Sequence, residues 1–90
     1  TIRFGFKKNF LRTFFVFVKC ELGKAYSVAN ALIERVEETS ECYSISGEFD
    51  LMAKFYIPND SDIGHFINEQ VHPIQGIRDT QTIITFNAFT

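Results

Sequence analysis

An α+β fold, with four antiparallel strands and two helices on one face, is what this 90-residue chain predicts. Three observations carry that expectation. "TFFVFVKC", Thr13 to Cys20, is nearly continuous in aromatic and β-branched residues, the pattern of a strand buried on both faces. Two later segments place apolar residues at helical spacing. Three further strand-like runs lie between and after them, so the order reads βαββαβ.

Taken in order, the first strand is broken by Gly23. Ala25, Val28, Ala29, Leu32 and Val36 then recur on one stripe, with Glu34, Glu37 and Glu38 off it, which predicts an amphipathic helix from about Lys24 to Glu38. "ECYSIS" follows as a short strand, and Gly47 and Glu48 make a tight connection into an alternating run from Phe49 to Ile57. There Phe49, Leu51, Ala53, Phe55 and Ile57 share one face, while Asp50, Met52, Lys54 and Tyr56 share the other. Pro58 ends that strand because it lacks the ladder N–H. "NDSD" offers N-caps to a second helix carrying Ile63, Phe66, Ile67 and Val71, which stops near Val71 or His72, just before Pro73. "IQGIRDTQTIITFNAF" turns at Gly76 and closes with the last strand.

This order is the ferredoxin-like unit, in which the first strand lies between the third and fourth and the second is at the edge. Cys20 and Cys42 are then not neighbours within one subunit, and no disulfide between them is expected. Helices cover one sheet face only, so the other meets solvent, a ligand or a second subunit. Eleven phenylalanines suit either a dense core or an aromatic face covered by another copy of the chain. A chain of this size buries only roughly 60–65% of its unfolded surface, which also favours oligomers.

The charge is uneven. Arg3, Lys7, Lys8 and Arg12 hold four of the nine basic residues, and from Thr13 onward five basic residues face eleven acidic ones. Such a body has no basic stripe for nucleic-acid phosphates. Residues 1–12 read as a solvated leader or a cloning remnant, with a nucleic-acid arm as the alternative, and residues 13–90 as the domain. No apolar run approaches the ~20 residues of a membrane span, so a cytoplasmic protein is expected. Cys20 and Cys42 lack CxxC spacing and histidines at ligand spacing, so no metal site is expected.

The chemistry concentrates in two stretches. Gly47 tolerates positive φ and lets a ligand approach the backbone, or simply makes the turn. Asp50 opens a strand yet sits on the parity opposite to the core face. It can receive an ammonium group, or it can cap the hairpin by accepting backbone N–H bonds. Thr80 and Thr82 are two apart on the last strand, hence on one face, and offer hydroxyls to a carboxylate; threonines are equally ordinary strand residues. Together these groups suit a zwitterion, of which an α-amino acid is the simplest.

"YSISGEFDLMAKF" and "IQGIRDTQT" resemble the two signature stretches of the ligand-binding domain of the Lrp/AsnC regulators. The first family pattern, small-Gly-x-aromatic-Asp, is matched by Ser46, Gly47, Phe49 and Asp50; the second, apolar-x-Gly-apolar-x-x-Thr-x-Thr, by Ile74, Gly76, Ile77, Thr80 and Thr82. The resemblance implies a dimeric αβ-barrel, with dimers assembling further into rings, and an amino acid or related small metabolite bound in a cleft between subunits. Carried onto matching positions, Gly47 and Asp50 would hold the amino group, and Thr80 and Thr82 the carboxylate. The ligand-binding set expected is therefore Gly47, Glu48, Phe49, Asp50, Thr80 and Thr82. Family transcription factors place a helix-turn-helix domain ahead of this region, and twelve residues cannot form one. The chain thus resembles a stand-alone version or a fragment of a longer regulator, acting without direct DNA binding through oligomerisation or through full-length relatives.

The αβ-barrel also carries small monooxygenases and isomerases, so two alternatives stand beside the sensor: an enzyme of that type, and a pure oligomeric interaction module. His65, His72, Cys20, Cys42, Tyr26, Tyr43 and Tyr56 are the reactive side chains on offer. His65 lies off the helix stripe and His72 at the helix end, where solvation or dipole capping is expected of them. No nucleophile–base grouping and no phosphate-cradling loop is evident in the spacing, and no catalytic residue or cofactor is expected.

Overall fold

In a computed structural model, residues 11–89 are described. The basic residues Arg3, Lys7 and Lys8 lie outside them. The order is β1 (Leu11–Cys20), α1 (Ala25–Arg35), β2 (Thr39–Ser44), β3 (Leu51–Pro58), α2 (Ile63–Phe66) with a π-helical turn over Ile67–Val71, and β4 (Ile77–Ile84). The sheet runs β2-β3-β1-β4 with every pairing antiparallel. β1 is therefore central and β2 is at an edge, as expected of a ferredoxin-like fold.

The core lies between the sheet and the helices. Phe14, Val16 and Val18 of β1 interleave with Leu51, Ala53, Phe55 and Ile57 of β3 under Val28 and Leu32 of α1 and Ile63, Phe66, Ile67 and Val71 of the second helix. Phe14 stacks on Phe55 at 5.2 Å, and Phe66 meets both rings edge-on at 5.8 and 5.4 Å. Such ring pairs add about 0.5–1.5 kcal/mol each beyond the area they bury. The other alternates of β1, Phe15 and Phe17, point to the opposite, uncovered face.

Several expectations are corrected. β1 begins by Leu11, and Arg12 belongs to the fold: its guanidinium donates to the Ser61 carbonyl. α1 stops at Arg35, short of Glu38, and Val36 turns into extended backbone while still reaching the core. Glu37 and Glu38 explain the stop, because carboxylates are unfavourable at the negative end of the helix dipole. The β2–β3 connection is a six-residue loop, 45–50, closed by the Ile45 N–H donating to the Asp50 carbonyl at 2.9 Å. β3 therefore starts at Leu51, and Phe49 departs from the Leu51/Ala53 face. It stacks instead on Phe17 at 5.7 Å, on the uncovered side. The second helix has the expected extent, but after one α-turn it widens, and the His72 N–H donates five residues back to the Ile67 carbonyl.

Gly76, just before β4, packs closely against the start of α1. Its φ is +101°, and a Cβ there would lie 3.0 Å from Val28 Cγ2 and 3.1 Å from Lys24 Cβ. Gly47 shares the positive φ, at +105°, but has open space around it. Gly47→Ala should thus cost about 1–2 kcal/mol from backbone strain alone. Gly76→Ala should cost about 2–4 kcal/mol, since packing strain adds to the same backbone term. Urea unfolding of the two variants checks the ranking.

Candidate functional site

Asp50 lies at the end of the hairpin loop, where the β1–β3 ladder runs out. Its N–H still donates to the Val18 carbonyl at 2.9 Å, and its side-chain Oδ2 accepts the Cys20 N–H at 2.7 Å. The carboxylate takes the place of the carbonyl that a longer β3 would have presented. A strand can begin with an acid here because the acid completes the neighbouring strand's hydrogen bonding. Of the two roles open to Asp50, capping is thus realised, on β1 and not on its own hairpin. Lys19 Nζ reinforces the loop by donating to the Glu48 carbonyl at 2.8 Å. Asp50 also lines a shallow groove of about 300 Å³ with Cys20, Glu21, Leu22, Gly23, Ala25 and Tyr26. Both cysteines are free thiols. Burial, and then the Asp50 charge, pushes the Cys20 thiol up; burial, and then Cys20, does the same to Cys42.

The threonine pair sits elsewhere. Thr80 is paired with Val18 and Thr82 with Val16, both core-facing residues of β1, so the two hydroxyls lie on the helix side of the sheet. They line a groove of about 360 Å³ with Ile63, Gly64, Ile67, Asn68, His72 and Ile84. His72 is exposed but engaged at both ring nitrogens: Nδ1 lies 3.1 Å from Asn68 Oδ1 and Nε2 lies 3.0 Å from Thr80 Oγ1. Sequence reasoning found the hydroxyl pair but missed this chain of groups. Its local half was visible as Asn68 and His72 four residues apart on one helix face. Its reach to Thr80 is a tertiary contact with no signal in the spacing.

The structure does not bring the two arms together within one chain. Asp50 bonds to Val18 from the loop just before β3, Thr80 flanks it from β4, and β1 runs between them. Two interstrand spacings put their backbones about 10 Å apart. An α-amino acid carries its ammonium and carboxylate on the same carbon. Among the described residues, Glu48 contributes its carbonyl to Lys19 and Phe49 its ring to Phe17.

The remaining reactive side chains are dispersed. His65 Nε2 faces Glu69 Oε1 at 3.9 Å on the helix surface. On the uncovered face the Tyr43 hydroxyl donates to Glu41, which also pairs with Lys54 at 3.5 Å. That hydrogen bond holds Glu41 below the usual carboxylate range and Tyr43 above the usual phenol range. A hydroxyl–imidazole–amide chain such as Thr80–His72–Asn68 is also the order of groups in nucleophilic hydrolases. Acyl transfer needs donors for an oxyanion as well, and the groove beside Thr80 mixes Ile63, Ile67 and Ile84 with Gly64, Asn68 and Thr82.

Comparison with known proteins gives a consistent result. The family model of the Lrp/AsnC ligand binding domain matches residues 13–90. The leucine-responsive regulatory protein of Salmonella typhimurium is 30% identical over 73 residues, which is 77% of this chain and 44% of that one. The chain thus spans less than half the length of the regulators it matches. Among solved structures, a hypothetical protein from Pyrococcus horikoshii superposes with a TM-score of 0.74 at 28% identity, covering 88% of this chain and 93% of that one. A transcriptional regulator from Neisseria meningitidis, solved with L-Met, superposes with a TM-score of 0.75 at 18% identity, covering 88% of this chain and 52% of that one. At that identity the second likeness speaks for the fold alone.

The Asp50 cap makes its own prediction. Asp50→Ala leaves the Cys20 N–H without its acceptor and should cost about 1–3 kcal/mol in denaturant unfolding. Asp50→Asn keeps an acceptor oxygen and should retain most of that stability. Equal losses in the two variants would show that the charge, not the hydrogen bond, is what matters.

Proposed function

The chain belongs to the family of Lrp/AsnC ligand-binding domains, and on that premise we propose that it is an effector-binding regulatory module that takes an α-amino acid between copies of itself without chemical turnover. The observation that carries the reading is the separation of the two arms. Asp50 beside its groove suits an ammonium group, and the Thr80–Thr82 pair suits a carboxylate, yet β1 keeps them about 10 Å apart in one chain. A small zwitterion touches both when one copy supplies Asp50 and another supplies the hydroxyls. Gly47 keeps the loop backbone open to such an approach.

The uncovered sheet face supports assembly. Phe15, Phe17, Phe49, Met52 and Tyr56 are all partly exposed there, around the Glu41–Lys54 pair. A second sheet packed against this face gives the dimeric αβ-barrel, and the amino-acid clefts then lie between dimers of a larger ring. Regulation passes through that assembly or through mixed assembly with full-length family members. The resemblance to leucine-responsive regulatory proteins supports an amino acid as the ligand class.

A thermal-shift titration against the common amino acids, with light scattering on the same samples, tests the reading. A ligand at ~100 times its dissociation constant adds roughly 2.7 kcal/mol, a shift of several degrees for a domain of this size. Asp50→Asn should abolish the shift while keeping the fold. No shift with any amino acid in a well-formed oligomer would overturn the effector reading in favour of an enzyme or a bare assembly module. Phe17→Glu should reduce the scattering mass to that of a monomer; an unchanged mass would move the dimer contact off this face.

A further inference from the structure

The imidazole between α2 and β4 decides what the threonine hydroxyl can do. We infer that His72, held by Asn68, is a positioning residue of the carboxylate arm: when neutral it turns the Thr80 hydroxyl proton away from a ligand, and when protonated it releases that proton to the ligand. The inference rests on reading Thr80 and Thr82 as the carboxylate arm.

The argument is one of donors and acceptors. Asn68 Oδ1 lies 3.1 Å from His72 Nδ1, and since an amide oxygen only accepts, this pairing assigns the proton to Nδ1. A neutral imidazole with its proton on Nδ1 has a lone pair on Nε2. Nε2 lies 3.0 Å from Thr80 Oγ1, so the hydroxyl must donate to it. A threonine has one hydroxyl proton. Thr80 then shows a carboxylate only lone pairs, which repel it. Protonation of His72 puts a second N–H on Nε2, and that N–H donates to Oγ1. The Thr80 proton becomes free to donate into the groove, and a positive charge stands behind it.

The surroundings leave the imidazole as the group that changes. The groove side chains beside it, Ile63, Ile67, Asn68, Thr80, Thr82 and Ile84, do not titrate, and Val18 of β1 faces Thr80 from the neighbouring strand. On the helix surface, Glu69 lies 3.9 Å from His65 and pairs with it only when that imidazole is protonated. On β4, Asp79 accepts the Thr80 N–H, and Arg78 precedes it in the chain. Ligand binding that favours protonated His72 takes up a proton, so affinity rises as pH falls.

The test has two parts. Long-range proton–nitrogen NMR of the full chain labelled at histidine, at about pH 8, should show His72 protonated on Nδ1; His72→Leu separates its signals from those of His65, the other histidine of the chain. Protonation on Nε2 would overturn the inference without any ligand. The common L-amino acids are then titrated at about pH 5.5 and about pH 8. Wild-type affinity should be about three- to tenfold tighter at the lower pH, the span of one net hydrogen bond. Thr80→Val and His72→Leu should both flatten that difference. Binding without pH dependence, or pH dependence that survives Thr80→Val, would sink the coupling while leaving the effector reading intact. Absence of binding at either pH would remove the effector reading and the coupling with it.

Discussion

Two helices cover only one face of a four-stranded sheet, and the character of this chain follows from that shortage. β1 sits in the middle of the sheet, so its side chains divide between a sealed core and a surface the helices never reach. Phe14, Val16 and Val18 fall inside, and Phe15 and Phe17 fall outside. The run "TFFVFVKC" reads as doubly buried because both of its parities are apolar. One side is buried by the chain itself. Phe49, Met52 and Tyr56 extend the apolar surface on the other, with Lys54 lying 5.3 Å over the Tyr56 ring. A lone domain does not need such a face to hold its core together.

That division also sets what was legible in the sequence. Where burial contrast is strong, periodicity predicted the structure: Val28 and Leu32 on α1, Val36 just after it, and Leu51, Ala53, Phe55 and Ile57 on β3 are all buried as the spacing implies. Phe49 fits the same alternation and still went to the other face. Alternation constrains a residue only while the chain stays in the ladder, and the loop holds Phe49 out of it. The π-helical turn was invisible for a related reason, since α and π windings place Ile63, Phe66, Ile67 and Val71 on much the same stripe. On β4, "IRDTQTII" has little contrast between its parities, so the facing of Thr80 and Thr82 had to come from their partners Val18 and Val16. The candidate site was therefore readable as a list of residues but not as a geometry.

Asp50 shows why structural and functional roles should not be set against each other. Its Oδ2 is committed to the Cys20 N–H, and that bond fixes the end of β1 and the groove beside it. An ionised carboxylate offers roughly four lone-pair sites, so one backbone bond leaves capacity for an ammonium group. The cap also orders the carboxylate in advance, which on the proposed reading lowers the entropy lost when a ligand binds. A residue already held by the fold is a better receptor for a small zwitterion than a free side chain at a loop tip.

On the proposed reading, the position of β1 links binding to assembly. If the ammonium is held by Asp50 of one copy and the carboxylate by the hydroxyls of another, the ligand binds the assembled state and not the separated chains. Anything that binds one state alone shifts the equilibrium toward it by mass action. The coupling is reciprocal, so an effector that tightens the assembly is itself bound more tightly by it. No hinge is required, and no signal has to cross the core packed around Phe14 and Phe55. On the proposed reading, a rigid central strand that holds two half-sites apart would be enough to make ligand concentration a control on oligomerisation.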